Sequence, residues 1–205
     1  MAVYKTSNSG LLTRTQYSSF LAGNEQFIPF APSGAYDSIA TTTVGSGGTA
    51  NVTFSSIPST YTHLQIRGLI RLSGATATRS FYMQVGNGTV ATTGYSDHAL
   101  EGDGSTASAS GGANGTEIRV GRTATAGHSA SVFGVCVIDI LDYADTNKYK
   151  TVRSLDGYDN NGSGAVSFTS GNWRSTSVID TIKLFGSGED LSEYSSFALY
   201  GIKGA

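Results

Sequence analysis

The sequence predicts an all-β protein: an antiparallel β-sandwich of jelly-roll type with an extended N-terminal arm. Three observations predict it. The 205 residues include 27 Gly, 28 Ser and 24 Thr, and only 14% are charged. Against that polar background stand 11 Tyr, 9 Phe and many Val, Ile and Thr, the residues that fit a pleated, half-buried surface. From Tyr36 onward the apolar residues recur with a period of two, and clusters of Gly, Ser and Asn break the pattern at short intervals.

The same composition excludes other classes. A coiled coil needs a charge density this chain lacks, and collagen needs glycine at every third position. The aromatic and β-branched content argues against disorder throughout. A formal net charge of −2 leaves no electrostatic footprint for nucleic acid or for an anionic membrane. No run of 18 apolar residues is present, and the polar start Met1–Ser7 lacks the apolar stretch of an export signal. The expectation is a soluble chain made in the cytoplasm. The single Cys136 lies in the apolar run Val132–Ile138 and reads as a small buried hydrophobe. A chain of this length suits one sandwich-sized domain plus a tail, with a core large enough to need neither disulfides nor metals.

Residues 1–35 lack the sustained alternation and hold two of the three prolines, Pro29 and Pro32. They form the first of two predicted regions, 1–35 and 36–205. Such a stretch is either a solvated terminus or an arm that orders on a partner. Tyr4, Leu11, Leu12, Tyr17, Phe20, Leu21, Phe27 and Ile28 are many apolar anchors for a solvated tail, so the docking arm is the reading adopted. Strands are predicted near 36–44, 49–55, 63–72, 80–86, 93–101, 116–121, 130–142, 148–157, 164–170, 178–186 and 196–203. Gly45-Ser46-Gly47-Gly48, Asn87-Gly88, Asn160–Gly164 and Gly186-Ser187-Gly188 supply the turns between them. Ser131–Leu141 is apolar on both faces, which places it centrally in a sheet. The Gly/Ser/Ala-rich segment 102–115 reads as a long mobile loop. About eleven strands with short links imply two packed sheets, with a single closed barrel as the alternative.

Catalytic chemistry finds no foothold. His63, His98 and His128 have no metal-ligand spacing, and one cysteine cannot build a zinc site. There is no G-x-S-x-G elbow and no phosphate-binding glycine loop. Asp139, Asp142 and Asp145, and Asp156 with Asp159, read as turn carboxylates. A Ca²⁺ site at 142–147 does not match the D-x-D-x-D-G spacing. No catalytic, cofactor-binding or metal residue is assigned. For binding, Tyr95 with Asp97 and His98, Tyr158, and Trp173 are aromatic and polar residues of the kind that stack on a sugar face and bond its hydroxyls. The same aromatics also read as caps of the sandwich core, and for Trp173 the cap is the favoured reading.

One stretch, Val52-Thr53-Phe54-Ser55-Ser56-Ile57-Pro58-Ser59-Thr60-Tyr61-Thr62-His63-Leu64-Gln65-Ile66-Arg67-Gly68, resembles a domain of small virion proteins of tailed bacteriophages. Ile138–Ala144, Thr146–Thr151, Gly171-Asn172-Trp173 and the C-terminal Ser195–Gly204 resemble it too, so the likeness covers about residues 36–204. The start Lys5–Tyr17 is similar to the start of such proteins. The resemblance implies a non-enzymatic structural protein on the outer surface of a virion capsid, a decoration (cement) protein. Its arm would dock on the major capsid protein, and its sandwich would project as a homotrimer and touch host surface glycans. The alternative it leaves open is a tail fibre or fibre tip, attached to a tail or baseplate protein, that recognises a host glycan. The absence of a shaft of repeats favours decoration. No nucleic acid or membrane partner is implied.

Overall fold

The computed structural model describes residues 35–76 and 79–204. The predicted arm, with Tyr4, Leu11, Leu12, Tyr17, Phe20, Leu21, Phe27 and Ile28, lies outside them. The described chain is all-β, with thirteen strands and no helix. They are β1 (Tyr36–Thr43), β2 (Asn51–Phe54), β3 (His63–Leu72), β4 (Arg79–Asn87), β5 (Thr89–Val90), β6 (Tyr95–Gly102) and β7 (Ala107–Gly115). There follow β8 (Ile118–Thr125), β9 (Gly134–Leu141), β10 (Lys150–Asp159), β11 (Gly164–Trp173), β12 (Thr181–Gly186) and β13 (Ser196–Ile202).

Each of the eleven segments with two-residue periodicity forms a strand. The turns follow their residues. At Asn87-Gly88 the chain reverses with Gly88 at φ 72°, a conformation a side chain resists, and β5 folds back on β4. At the β10–β11 hairpin Asn161 and Gly162 both take positive φ, as a tight hairpin turn requires.

Segment 102–115 corrects the expectation of a mobile loop. The Asp103 carboxylate accepts hydrogen bonds from the Ser105 and Thr106 amides at 2.9 and 2.7 Å, which closes a turn. Beyond it β7 pairs antiparallel along β6. Ladder hydrogen bonds belong to the backbone, so a chain of Ala, Ser and Gly can form them without side chains to bury. Every β7 residue up to Asn114 is exposed.

The strands form two layers. The front sheet runs β1-β13-β3-β9-β10-β11-β6-β7, and the back sheet runs β2-β12-β4-β8 with β5 beside β4. A short parallel contact, Arg71 to Ala124 and Leu72 to Thr125, links β3 with β8. The pairing path ends in β2 and β7, so it does not close into a barrel. Two four-stranded sheets define the jelly roll. The longer front sheet here carries extra strands, and this strand order does not establish the jelly-roll form.

The core fills the space between the sheets. Leu64, Ile66, Ile138 and Ile140 descend from the front sheet, and Met83, Val85, Ile182 and Leu184 rise from the back. The Phe81 and Phe197 rings stack at 5.8 Å between them. Strand β8 lies beneath β10, tied to it by the Ser154 hydroxyl donating to the Val120 carbonyl and the Arg122 amide donating to Asp156.

Candidate functional site

Strand parity sorts the residues singled out in the sequence. In β6 the odd positions point inward, and β11 pairs with β6 so that Trp173 stands opposite Tyr95. In β10 the even positions point inward. Tyr95, Asp97, Tyr158 and Trp173 therefore share the inner side of the front sheet, and His98 alone is turned outward.

This corrects the glycan-contact reading of Tyr95 and Trp173. Tyr95 is fully buried and its ring stacks on buried Trp173 at 6.4 Å. Its hydroxyl donates to the Val85 carbonyl at 2.8 Å and accepts from the Val85 amide at 2.9 Å. Burial pushes this phenol up to about 12. The pair caps one end of the core, and no sugar reaches it. Asp97 accepts a hydrogen bond from the Arg119 amide of β8 at 3.3 Å. Tyr158 meets the His128 ring edge-on at 4.8 Å. The five residues do not converge on one surface.

The turn carboxylates are also engaged. Lys148 donates to Asp142 at 2.6 Å and pairs with Asp145 at 3.2 Å. Beneath them the buried Lys150 ammonium donates to the Asp145, Lys148 and Thr176 carbonyls. Ammonium groups stand where the sequence offered a cation. Among the described residues no group of three or more His, Cys, Asp or Glu is placed to hold a metal ion.

The informative feature is an inversion of the front sheet. Beyond the Tyr95–Trp173 cap and Val152, the inner face under β10, β11 and β6 is largely polar. Asp156, Ser167, Thr169, Ser154 and Glu101 are all buried there. Asp156 accepts hydrogen bonds from the Arg122 amide at 2.8 Å and from the Ser167 hydroxyl. Burial raises its carboxyl to about 6. Glu101 pairs with Arg119 at 2.5 Å and Arg122 at 2.9 Å. Strand β8 runs so close that a Cβ on Gly121 would lie 2.6 Å from the Asp156 carboxyl carbon. The space left between backbone and sheet suits small and hydrogen-bonded groups, and large apolar side chains do not fit it.

The outer face of β3, β9, β10, β11 and β6 carries an apolar cluster set among polar residues such as Arg67, Arg153, Ser170 and His98. Leu69, Leu100, Val135, Leu155, Val166 and Phe168 are each 43–60% exposed. The register makes them contiguous. Val137, Leu155, Phe168 and Leu100 stand side by side on four neighbouring strands. Leu69 and Val135 form a second row, which continues across Gly157 to Val166. A half-solvated antiparallel sheet ordinarily turns its polar residues outward. Within this cluster that rule is reversed, and contiguous exposed apolar area on a folded surface marks an interaction site.

Sequence reasoning missed these residues, although it held a signal for them. Ser131–Leu141 is apolar on both faces, and the structure buries only one of them. The chain matches no protein-family model, no curated protein and no solved structure.

Proposed function

We propose that the chain is a non-enzymatic structural protein that works by attachment within an assembled particle. The inverted front sheet carries this reading. A surface that turns leucine, valine and phenylalanine outward across neighbouring strands is built to be covered. Combined with the resemblance stated above, the particle is a tailed-phage virion and the protein a capsid decoration (cement) protein. The segment 1–35 docks on the shell, and the sandwich projects from it.

Two measurements on virions test this reading. Quantitative mass spectrometry of purified particles is expected to find copies comparable in number with shell subunits. Deletion of residues 1–30 is expected to abolish binding to empty shells while the sandwich stays folded. A few copies per particle would transfer the protein to the tail, as a fibre tip. Undiminished shell binding by the truncated chain would remove the docking arm from the account.

A further inference from the structure

The outer face of the front sheet has two unlike halves. Over β10, β11 and β6 it forms a ridge of Leu155, Phe168 and Leu100. Over β13, β3 and β9 it holds a shallow hollow of about 280 Å³, lined among others by Leu69, Val135 and Ala198. Small Ser196 and Ala198 open the hollow beside Leu69.

We propose that this face is covered by the same face of a second copy, about a two-fold axis parallel to the strands and running between β9 and β10. The proposal rests on the reading of the chain as an assembly protein, names the partner of its apolar face, and sets a two-fold pair in place of the homotrimer that the resemblance implies. The strand order supplies the argument. Counting outward from β9 and β10, β3 corresponds to β11 and β13 to β6. A rotation about that axis therefore sets the ridge of each copy into the hollow of the other. Rows keep their height under the rotation, so the register predicts which side chains meet. Val137 faces Leu155, Val135 faces the bare backbone of Gly157, and Leu69 faces Val166. In the next row Asp139 stands beside Arg153 within one copy, so Asp139 faces Arg153 of the other. In the Val137 row Arg67 faces the Phe168 ring and small Ala198 faces Leu100, so the rows match by size, by a cation on a ring and by opposite charge. Aligned sheets cross at about 30°, so the match is tightest next to the axis.

The area suffices. Eight front strands about 4.8 Å apart, seven to ten residues long at ~3.3 Å per residue, present roughly 1,000 Å². That exceeds the share of one partner in a stable interface of standard size, about 800 Å².

Sedimentation equilibrium of the full chain tests the proposal. The expected mass is twice 21.2 kDa at micromolar concentration. Leu155→Glu puts two charges beside the axis and is expected to weaken the pair at least ~30-fold, the effect of losing a hot-spot side chain. Asp139→Arg and Arg153→Asp each set like charges face to face and are expected to weaken it similarly. The double variant Asp139→Arg/Arg153→Asp restores the opposition and is expected to recover the dimer. Thr53→Glu, on the exposed side of the back sheet, is expected to leave it unchanged. Trp173 fluorescence reports that each variant is folded. A wild-type monomer at tens of micromolar, a trimer, or a double variant no better than the singles would overturn the proposal. A chain that dimerises but binds no particle refutes the assembly function and leaves the pair standing; a monomer that binds particles does the reverse.

Discussion

Where β10, β11 and β6 meet at Leu155, Phe168 and Leu100, the two faces have exchanged the usual roles. The inner face buries Asp156, Glu101, Ser154, Ser167 and Thr169, the first four in hydrogen bonds or ion pairs. The outer face holds Leu100, Leu155, Val166 and Phe168 in solvent. At the β3–β9 end the inner face is conventional, with Leu64, Ile66, Ile138 and Ile140 in the core. The difference shows that apolar content does not decide which side of a sheet is inside; the space left by the opposing backbone does. Close approach of β8 at Gly121 leaves space for hydrogen-bonded groups, and Leu155, Val166 and Phe168 stand on the other side, where a partner can bury them.

Substitutions on the two faces therefore have unlike consequences. The largest effect belongs to the capped end of the core. Trp173→Ala removes a buried ring stacked on Tyr95 and is expected to cost about 3–5 kcal/mol in urea unfolding. A variant as stable as wild type would place Trp173 outside the core. Glu101→Ala comes next. It leaves Arg119 facing the interior without its carboxylate, at a cost of about 3 kcal/mol, the low end for a broken buried pair because Arg122 is 40% exposed.

Asp156 sharpens the contrast through pH. Its folded carboxyl titrates near 6, above the ordinary value of 3.8, so the folded state holds its proton more tightly. Stability from this group therefore rises as pH falls through about 6 and levels off below about 4. Between pH 7 and pH 5 the gain is about 1 kcal/mol. Asp156→Asn is expected to abolish this gain, so a wild-type gain retained in the variant would assign it to another group.

The smallest effect is expected outside. Leu155→Ser changes monomer stability by no more than ~0.5 kcal/mol when unfolding is followed below the concentration of association. A loss of several kcal/mol would mean that Leu155 belongs to the core of the single chain.

Much of the fold was legible because a two-residue period needs only the sequence. Strands such as His63–Leu72 and the Asn87-Gly88 reversal follow from alternation and turn chemistry alone. β7 was not legible, since Ala, Ser and Gly carry no alternation and its pairing comes from the backbone. The candidate site was misread for a related reason. Tyr95, Asp97 and Tyr158 were chosen for their polar neighbours, which suggest a surface. Asp97 goes inward with Tyr95 while His98 and Asp159 face solvent, so polar neighbours do not tell the two faces apart. Parity alone puts Leu155 and Phe168 on one side, but naming that side as the exposed one requires the position of β8.

Hydroxyl-radical footprinting of the assembled full chain tests the central claim most directly. The account predicts that Leu100, Leu155, Val166 and Phe168 are oxidised as slowly as buried Leu64, while Tyr194, 69% exposed and off the front strands, is oxidised fast. Oxidation of those four at the rate of a freely exposed side chain, at every concentration and on the particle, would contradict it.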